Sequence, residues 1–482
     1  MLPAFLRILA LASLLALLIA AASPAGTPRF ETALMPATGF TPSEITRHQT
    51  AVTGATKVRL IEFWRQIAPA REPASWDPRD PADPAYRWDG VDAQVQRAVK
   101  AGLDPILSIV MAPEWATAPG GGNYTDGTYE PSPSDFGRFA LAAARRYSGT
   151  FEDLPRVRYW QAWNEPNLNL YLNPQLADGN PVSPGWYRGM LNAFADAVHS
   201  VHRDNIVVAG GLAPFFDNSP EVTRQNPDWG PLTFMRALLC ISKDLKPTCN
   251  DRVRFDVWST HPYTSGGPTH QAVKPDDVSL GDLPEMRAIL NAAIGARHIV
   301  SAHRPQFWVT EFSWDSKPPD PAGVPTKLLK RWVPQALYEM WRNGVSLVTW
   351  FSLHDESPTV SPYQSALFYA GGRAKPYLRG FRFPLVAFPR ARGVYVWGRT
   401  PAGVRGRVIV ERLAPGGAWR RLGTVATTRF GVFERTFRAQ KTGWIRARIA
   451  GGDASLPFSL TPVPDQFFNP FGLPNLLEPK KK

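Results

Sequence analysis

The sequence of 482 residues has little cysteine and lacks the motifs that mark several common enzyme classes. It contains no His-Glu-x-x-His zinc motif and no Gly-x-Ser-x-Gly nucleophile elbow, and the glycines at 120–122 are followed by no Lys-Ser or Lys-Thr. His261 and His270 are nine positions apart in a stretch rich in proline and glycine, which does not match the spacing of metal ligands. We therefore expect no metal and no other cofactor.

Only two cysteines are present, Cys240 and Cys249, in the segment CISKDLKPTC. Their spacing and the lack of a nearby histidine do not fit a zinc or redox site. In an oxidising compartment they can close a small loop, so we expect a local disulfide that holds a loop in place.

Long apolar runs are absent after residue 25, so no later segment is expected to cross a bilayer. Residues 1–25 carry one early cation, Arg7, followed by an apolar run and then small residues, which is typical of a secretory signal peptide. Cleavage is expected after Ala22 or Ala25. We therefore predict a secreted protein, and an uncleaved membrane anchor is the alternative.

Acidic residues are scarce in one region only. Residues 384–462 contain fourteen lysines and arginines against three acidic residues, whereas residues 8–383 are balanced. This shift predicts a domain boundary near residue 383. The basic region could bind an anionic polymer of the cell envelope, or it could be a soluble arginine-rich surface without a specific ligand. Nucleic acid is not expected, because an exported chain without a recognisable binding motif is a poor candidate.

Short apolar runs alternate with helical patterns between residues 30 and 380. The runs are apolar on both faces, as in buried parallel strands. Eight strands with helical crossovers predict a closed (β/α)8 barrel, and an open doubly wound sheet is disfavoured because no glycine-rich phosphate loop follows the first strand. The predicted strands are 29–35, 57–64, 104–111, 157–163, 205–211, 255–261, 306–312 and 345–351. The predicted helices are 88–103, 132–149, 184–203, 284–302 and 327–343.

The pattern changes after residue 383 to alternating apolar strands separated by Gly, Pro or Thr, which is typical of an antiparallel β-sandwich. The last residues are rich in proline and end in three lysines, so we expect a flexible tail. The predicted organisation is a signal peptide at 1–25, a barrel at 29–383, a basic immunoglobulin- or fibronectin-like sandwich at 384–462 and a tail at 463–482. A monomer is expected.

Two glutamates follow apolar strands of the predicted barrel at the same end. Glu165 lies in WNEP after the fourth strand, and Glu311 lies in TEFSW at the end of the seventh. Active groups of such barrels come from the carboxyl ends of the strands, and a buried glutamate is costly unless it is paired or used. A pair placed in this way suits glycoside cleavage, in which one carboxyl group starts protonated and the other stays ionised.

The segments WNEPN and TEFSW resemble the paired signatures of glycoside hydrolase clan A, whose members are retaining (β/α)8-barrel enzymes. With YRWDGVDAQVQRAVKAGL and VMAPEWA upstream, the chain is most similar to family 39, and family 5 is also similar. The resemblance covers about residues 55–380. It implies that Glu165 is the acid/base, that Glu311 is the nucleophile and that Asn164 bonds the sugar 2-hydroxyl.

Further residues are expected at the mouth of the barrel. Arg59 could stabilise the charge of the nucleophile, or it could form an ordinary salt bridge. His261 and Tyr263 follow the sixth strand, where clan A members often have His and Tyr, and the Tyr263 hydroxyl is expected to reach Glu311; packing in a loop is the alternative. Large aromatic faces suit the apolar face of a pyranose, although aromatic residues are often core residues. On that basis the predicted sugar-binding residues are Trp350 and, for further subsites, Trp64 and Trp115.

The sequence thus predicts a secreted retaining glycoside hydrolase that cleaves a β-linked polysaccharide or oligosaccharide with two glutamates. A catalytically inactive carbohydrate-binding protein with the same barrel is the alternative. A third possibility assigns the main function to the basic sandwich as a cell-surface adhesion module.

Overall fold

The computed structural model of the protein describes residues 27–36, 44–215 and 228–468. The predicted signal peptide at 1–25 lies outside the described residues, as does most of the predicted tail, from residue 469 onward. Among the described residues, no helix combines the length and the apolar character that crossing a membrane requires.

The eight predicted strands of the first region form a closed parallel barrel, which confirms the predicted fold class. Each strand pairs with the next one along the chain, and the last strand pairs with the first, where Glu31 lies opposite Leu347. The strands are β1 Glu31–Met35, β2 Lys57–Phe63, β3 Asp104–Val110, β4 Tyr159–Ala162, β5 Ile206–Leu212, β6 Val257–Thr260, β7 Gln306–Phe312 and β8 Val345–Phe351.

Helices cover the outside of the barrel, so the strands are buried on both faces. Leu34, Val58 and Leu107 belong to the large outer core between strands and helices, whereas Ala33, Ile106 and Leu347 belong to a small core inside the barrel. Burial on both faces explains why the strands are apolar runs. The described helices are α1 Glu44–Thr53, α2 Trp64–Ile67, α3 Asp89–Lys100, α4 Pro133–Arg146, α5 Ser183–Val201, α6 Pro231–Leu239, α7 Leu283–Gly295, α8 Thr326–Arg342 and α9 Leu378–Arg382.

Two antiparallel sheets follow the barrel. The first has the strand order β9–β10–β13 and the second β12–β11–β14–β15, and the rings of Phe388 and Phe458 meet between them at 5.8 Å. Strand β9 contains Pro389 and is an edge strand, where a residue without an N–H is tolerated. The strands are β9 Leu385–Arg390, β10 Gly393–Arg399, β11 Arg407–Leu413, β12 Trp419–Ala426, β13 Val432–Phe437, β14 Trp444–Ile449 and β15 Phe458–Ser459.

The barrel and the first antiparallel sheet share one hydrophobic core. Trp397 of β10 packs against Phe30 before β1 and against Tyr338 and Trp341 of α8. Arg399, fully buried, donates a hydrogen bond of 2.8 Å to the Phe30 carbonyl oxygen. The domain limits 29–383 and 384–462 remain a prediction, because apolar packing crosses them without interruption.

Two further segments are held against the barrel. Cys240 and Cys249 form the predicted disulfide directly after α6, with their Cα atoms 5.3 Å apart. Asp465 accepts hydrogen bonds from the Gly267 backbone and from the His270 ring, and the Phe468 backbone donates one to Ser265. These contacts differ from the flexible tail expected from residue 463, because its first residues contact the loop that follows β6.

Candidate active site

The loop after β4 places Glu165 at the mouth of the barrel. Trp163 and Glu165 both have positive φ angles, 71° and 42°, which turn the chain sharply where the strand ends. The Glu165 backbone donates a hydrogen bond to the Gly211 carbonyl oxygen at the end of β5. The Asn167 side chain bonds both the N–H and the carbonyl oxygen of Ala213. The turn is therefore anchored to the neighbouring strand, which limits the positions that Glu165 can take.

Glu311 lies near the end of β7, and two side chains from other strands and loops hold its carboxylate. Nη1 of Arg59, on β2, donates to Oε1 at 2.5 Å, and the Tyr263 hydroxyl donates to Oε2 at 3.1 Å. The predicted contacts of Arg59 and Tyr263 with Glu311 are therefore both present in the structure.

The structure brings the two glutamates together across the mouth. Nδ1 of His261 lies 2.8 Å from Oε1 of Glu165 and 3.8 Å from Oε2 of Glu311. The ligand atoms of these three residues all lie within 4.8 Å of one another. His261 also contacts the Thr310 hydroxyl through Nε2 at 3.1 Å, which fixes the orientation of its ring between the two acids.

The two carboxyl groups have pKa values that are shifted in opposite directions. Burial raises the pKa of Glu165, and the nearby charge of Glu311 adds to that effect. Burial acts in the same direction on Glu311, but His261, the Arg59 guanidinium and hydrogen bonds from Arg59 and Tyr263 outweigh it, so its pKa is lowered. A proton shared by this site therefore rests on Glu165, and Glu311 is the ionised partner.

Arg59 organises the floor of the site. Besides Glu311, its guanidinium donates to the side chains of Gln161, Ser108 and Asn164, at 2.8, 3.1 and 2.7 Å. The bond to Asn164 holds the carbonyl end of its amide, so the NH2 group of Asn164 remains to serve a ligand. Sequence reasoning missed Gln161 and Ser108, although a polar residue inside an otherwise apolar barrel strand was a signal that could have revealed them.

A pocket of about 430 Å³ opens above the pair. Its polar wall includes Asn164, Tyr263 and Asp315, and its apolar wall includes Tyr171 and Phe351. Asp315, which follows β7 and was not predicted, is buried, and its pKa is raised by burial to about 6. The size of the pocket lies within the range of small-molecule sites.

Trp350 does not line this pocket, in contrast to the prediction. Its side chain is fully buried, packs against Phe312, Tyr377 and Phe381, and donates its indole N–H to the Ser365 carbonyl oxygen. Successive residues of a strand face opposite sides, so the next residue, Phe351, lines the pocket instead. The aromatic side chain at the pocket wall is therefore that of Phe351, one position after the predicted Trp350.

The two tryptophans predicted for further subsites lie away from the paired glutamates. Trp64 is fully buried among Phe136, Phe139 and Trp115, so it offers no face to a ligand. Trp115 is half-buried and lines a separate pocket of about 1030 Å³ formed by the loops after β2 and β3. Its indole N–H is bonded to the Pro69 carbonyl oxygen, which holds the ring at the wall of that second pocket.

The distances among Glu165, His261 and Glu311 would also allow a metal ion to bind. The guanidinium of Arg59 already occupies Oε1 of Glu311 and would repel a second cation at this position. A second group, formed by Cys240, Cys249 and Asp251, contains the disulfide sulfurs, which are not thiolate ligands. The geometry therefore favours an acid–base pair over a metal centre.

No protein-family model and no curated protein matches this sequence. Among solved structures, the chain is similar to a glucosidase from Croceicoccus marinus, with 13% identity, a TM-score of 0.47 and coverage of 86% of this chain and 94% of that one. It is also similar to a β-glucuronidase from Bacteroides uniformis, with 14% identity, a TM-score of 0.42 and 91% of this chain covered; this chain spans 46% of that protein's length. A GH30 endoxylanase from Clostridium papyrosolvens has 11% identity, a TM-score of 0.41 and coverage of 86% and 95%. These similarities are too low to assign an activity.

Proposed function

We propose that the protein is a retaining glycoside hydrolase in which Glu165 is the acid/base and Glu311 is the nucleophile. The observation that carries this proposal is a pair of carboxyl groups at one barrel mouth, with oxygens within 4.8 Å and pKa values shifted in opposite directions. Retaining enzymes hold their carboxyl groups about 5–5.5 Å apart, whereas inverting enzymes need about 6.5–9.5 Å to admit a water molecule. The close spacing supports retention.

In the first step, the ionised oxygen of Glu311 attacks the anomeric carbon while Glu165 gives its proton to the departing glycosidic oxygen. The bond to the leaving group breaks and a glycosyl–Glu311 ester forms. In the second step, Glu165 takes a proton from water, the water oxygen attacks the anomeric carbon, and Glu311 leaves as a carboxylate. Arg59 and Tyr263 stabilise the carboxylate before attack and after release.

The lining of the pocket supports a neutral sugar at the cleaved position. Among the described residues that line it, three carry carboxyl groups, Glu165, Glu311 and Asp315, and none is a lysine or arginine. A uronic acid would bring a further negative charge to this lining, which costs free energy without a cation to pair with. We therefore propose neutral β-linked oligosaccharides or polysaccharides as substrates.

The proposed location is outside the cytoplasm. The disulfide between Cys240 and Cys249 supports it, since disulfides persist in oxidising compartments. Expression of the full chain in a secreting host, followed by N-terminal sequencing, tests this proposal. A new N-terminus after Ala22 or Ala25 supports export with cleavage, an N-terminus at Met1 in the membrane fraction supports the uncleaved anchor, and an N-terminus at Met1 in the cytoplasm contradicts the proposed location.

The proposed activity is tested with aryl β-glycosides and neutral polysaccharides on the wild type, Glu165→Gln and Glu311→Gln. Each variant is expected to lose at least about a hundred-fold in kcat/KM, from loss of proton transfer and loss of the covalent route respectively. Glu152→Gln, an exposed glutamate that precedes β4, is the matched control and is expected to keep full activity.

Two measurements complete this test. Proton NMR of the first-formed product is expected to show the anomeric configuration of the substrate, and inversion would contradict the mechanism. Full turnover by Glu165→Gln and Glu311→Gln would remove the assignment. Glycan binding by the wild type without turnover of any substrate would favour the non-catalytic binding protein instead.

A further inference from the structure

A third pocket lies between helix α8 of the barrel and the antiparallel sheet that contains β14 and β15. It has a volume of about 620 Å³, and we call it the basic groove. Its cationic side chains are Lys327, Lys330 and Arg331, from the first turns of α8. Its aromatic side chains are Trp444, at the start of β14, and Phe458, in β15.

Among the tryptophans that the structure describes, Trp444 is the one with an exposed side chain, at 45% of its surface. It lies opposite Ser459 in the pairing of β14 with β15, while its neighbour Ile445 points into the core. An exposed indole at the rim of a pocket provides an apolar face that water solvates poorly, and such a face suits the C–H face of a pyranose.

The cations of the groove are not neutralised by the protein. Among the described residues, neither Lys327, Lys330 nor Arg331 forms an ion pair, and no acidic side chain lines the groove. Arg331 is held in place instead by uncharged groups: it donates to the Ser459 carbonyl oxygen at 2.8 Å, and its guanidinium lies 4.3 Å from the centre of the Phe458 ring. A fixed guanidinium and two exposed ammonium groups therefore face one concave surface that lacks a counter-charge.

We propose that the basic groove binds an acidic polysaccharide built from uronic acid units. Each such unit carries an apolar pyranose face and one carboxylate, so a single unit can stack on Trp444 while neighbouring carboxylates pair with Arg331, Lys327 and Lys330. Nucleic acid and heavily sulfated glycans carry a denser line of charge than these three cations match. The choice of a glycan rests on the proposed function, since a glycosidase that holds an acidic matrix remains close to neutral glycans within it.

The groove is separate from the catalytic pocket, so its ligand does not have to be a substrate. The catalytic pocket is lined by carboxyl groups and the basic groove by cations, and the two therefore select sugars of opposite charge character. We expect the acidic polysaccharide to be bound and left uncleaved.

The test measures binding of polygalacturonate oligosaccharides by isothermal titration calorimetry, in the full-length Glu311→Gln background. This background removes turnover, so failure of the proposed groove and failure of the proposed activity give different results. Lys327→Ala with Lys330→Ala, and separately Trp444→Ala, are each expected to weaken binding at least ten-fold, and added salt is expected to weaken binding by the wild-type groove. If Trp444→Ala lowers the melting temperature, the proposal is judged on the Lys327→Ala, Lys330→Ala double variant alone.

Arg420→Ala with Arg421→Ala is the matched control, because it removes two exposed cations from β12, outside the groove. An equal loss of binding in this control would overturn the proposal, since net charge alone would then explain the affinity. Equally tight binding of hydroxyethylcellulose, a neutral polymer, would also overturn it. Tighter binding of single-stranded DNA or dextran sulfate, with the same dependence on Lys327 and Lys330, would assign the groove to a different ligand.

Discussion

Three buried carboxyl groups of the barrel differ in pKa because their neighbours differ. Glu165 and Glu311 share one mouth, yet only Glu311 is bonded to the Arg59 guanidinium, so their pKa values move apart. Glu62 lies on the outer face of β2 and has only the amide of Gln94, at 3.0 Å, as a hydrogen-bonding partner among the described contacts. Burial without a cation raises the pKa of Glu62 to about 8. The same residue type therefore holds a proton or stays ionised according to its surroundings.

Tyr263→Phe tests the electrostatic support of Glu311, the proposed nucleophile. Loss of the hydroxyl removes a hydrogen bond that lowers the pKa of Glu311, so this pKa rises. In the proposed mechanism Glu311 must be ionised to attack, so the acidic limb of the kcat/KM–pH profile is expected to move to higher pH by roughly half a unit to one unit. The activity at the optimum is expected to fall about ten-fold. Tyr124→Phe, on the loop after β3, is the control, and an unmoved acidic limb in Tyr263→Phe would contradict the assigned role.

Glu62→Gln tests the buried neutral carboxyl. The pKa of Glu62 is raised in the folded state, so the native protein holds a proton that the unfolded chain releases above pH 4.5. The wild type therefore loses stability as pH rises from about 4.5 towards 8, whereas the glutamine variant has no proton to hold. We expect the variant to match the wild type near pH 4.5 and to exceed it by up to about 3 kcal/mol at pH 7. Urea unfolding at both pH values measures this, and equal stability at pH 7 would contradict the burial argument.

The sequence predicts the positions of the barrel strands better than the direction of each side chain. All eight barrel strands were recognisable, since buried parallel strands are apolar runs, and the two glutamates could be placed because strand ends of a barrel converge. The sequence could not predict which residues of a strand point into the barrel and which point outward. A strand that is apolar on both faces shows no alternation of polar and apolar residues, so nothing in the sequence distinguishes Trp350 from Phe351. The network around Arg59 joins β2, β3, β4 and β7, and contacts between such distant segments leave no local pattern.

Phe351→Ala and Trp350→Ala separate the two faces of β8. Phe351 lines the pocket above the paired glutamates, so its loss is expected to raise KM about ten-fold while the melting temperature stays nearly unchanged. Trp350 is fully buried among aromatic rings, so its loss is expected to cost about 3–5 kcal/mol of unfolding free energy. Steady-state kinetics and urea unfolding of both variants provide the comparison. The opposite pattern, with a raised KM only in Trp350→Ala, would restore the sequence-based assignment.

The molecule as a whole is held together by a core that continues from the barrel into the antiparallel sheets. Trp397 and Arg399 of β10 reach Phe30, Tyr338 and Trp341 of the barrel. Burial lowers the pKa of Arg399 to about 10, so it stays charged at neutral pH while it bonds the Phe30 carbonyl oxygen. The barrel and the antiparallel sheets therefore differ in charge pattern but share one packed core.

Unfolding of residues 27–468 is therefore expected to occur in a single transition. Calorimetry should give one endotherm with equal calorimetric and van't Hoff enthalpies, and a chain that ends at residue 383 should aggregate because Trp341 and Tyr338 lose their cover. Arg399→Met, which leaves the Phe30 carbonyl oxygen unpaired, should lower the stability of the whole protein by about 2 kcal/mol. Two separate endotherms, with only one shifted in Arg399→Met, would show instead that the sheets fold independently.

The pairing of β1 with β8 has a consequence for biosynthesis. Met35 lies opposite Phe351, so the first strand to leave the ribosome finds its second neighbour only after about 310 further residues have been made. At about 5–20 residues per second, this delay amounts to roughly 15–60 s. The nascent polypeptide must spend that interval with an incomplete cylinder and open strand edges. A chaperone that shields the early strands would prevent their open edges from pairing with other chains. A translocase that moves the chain across the membrane before the barrel closes would have the same effect.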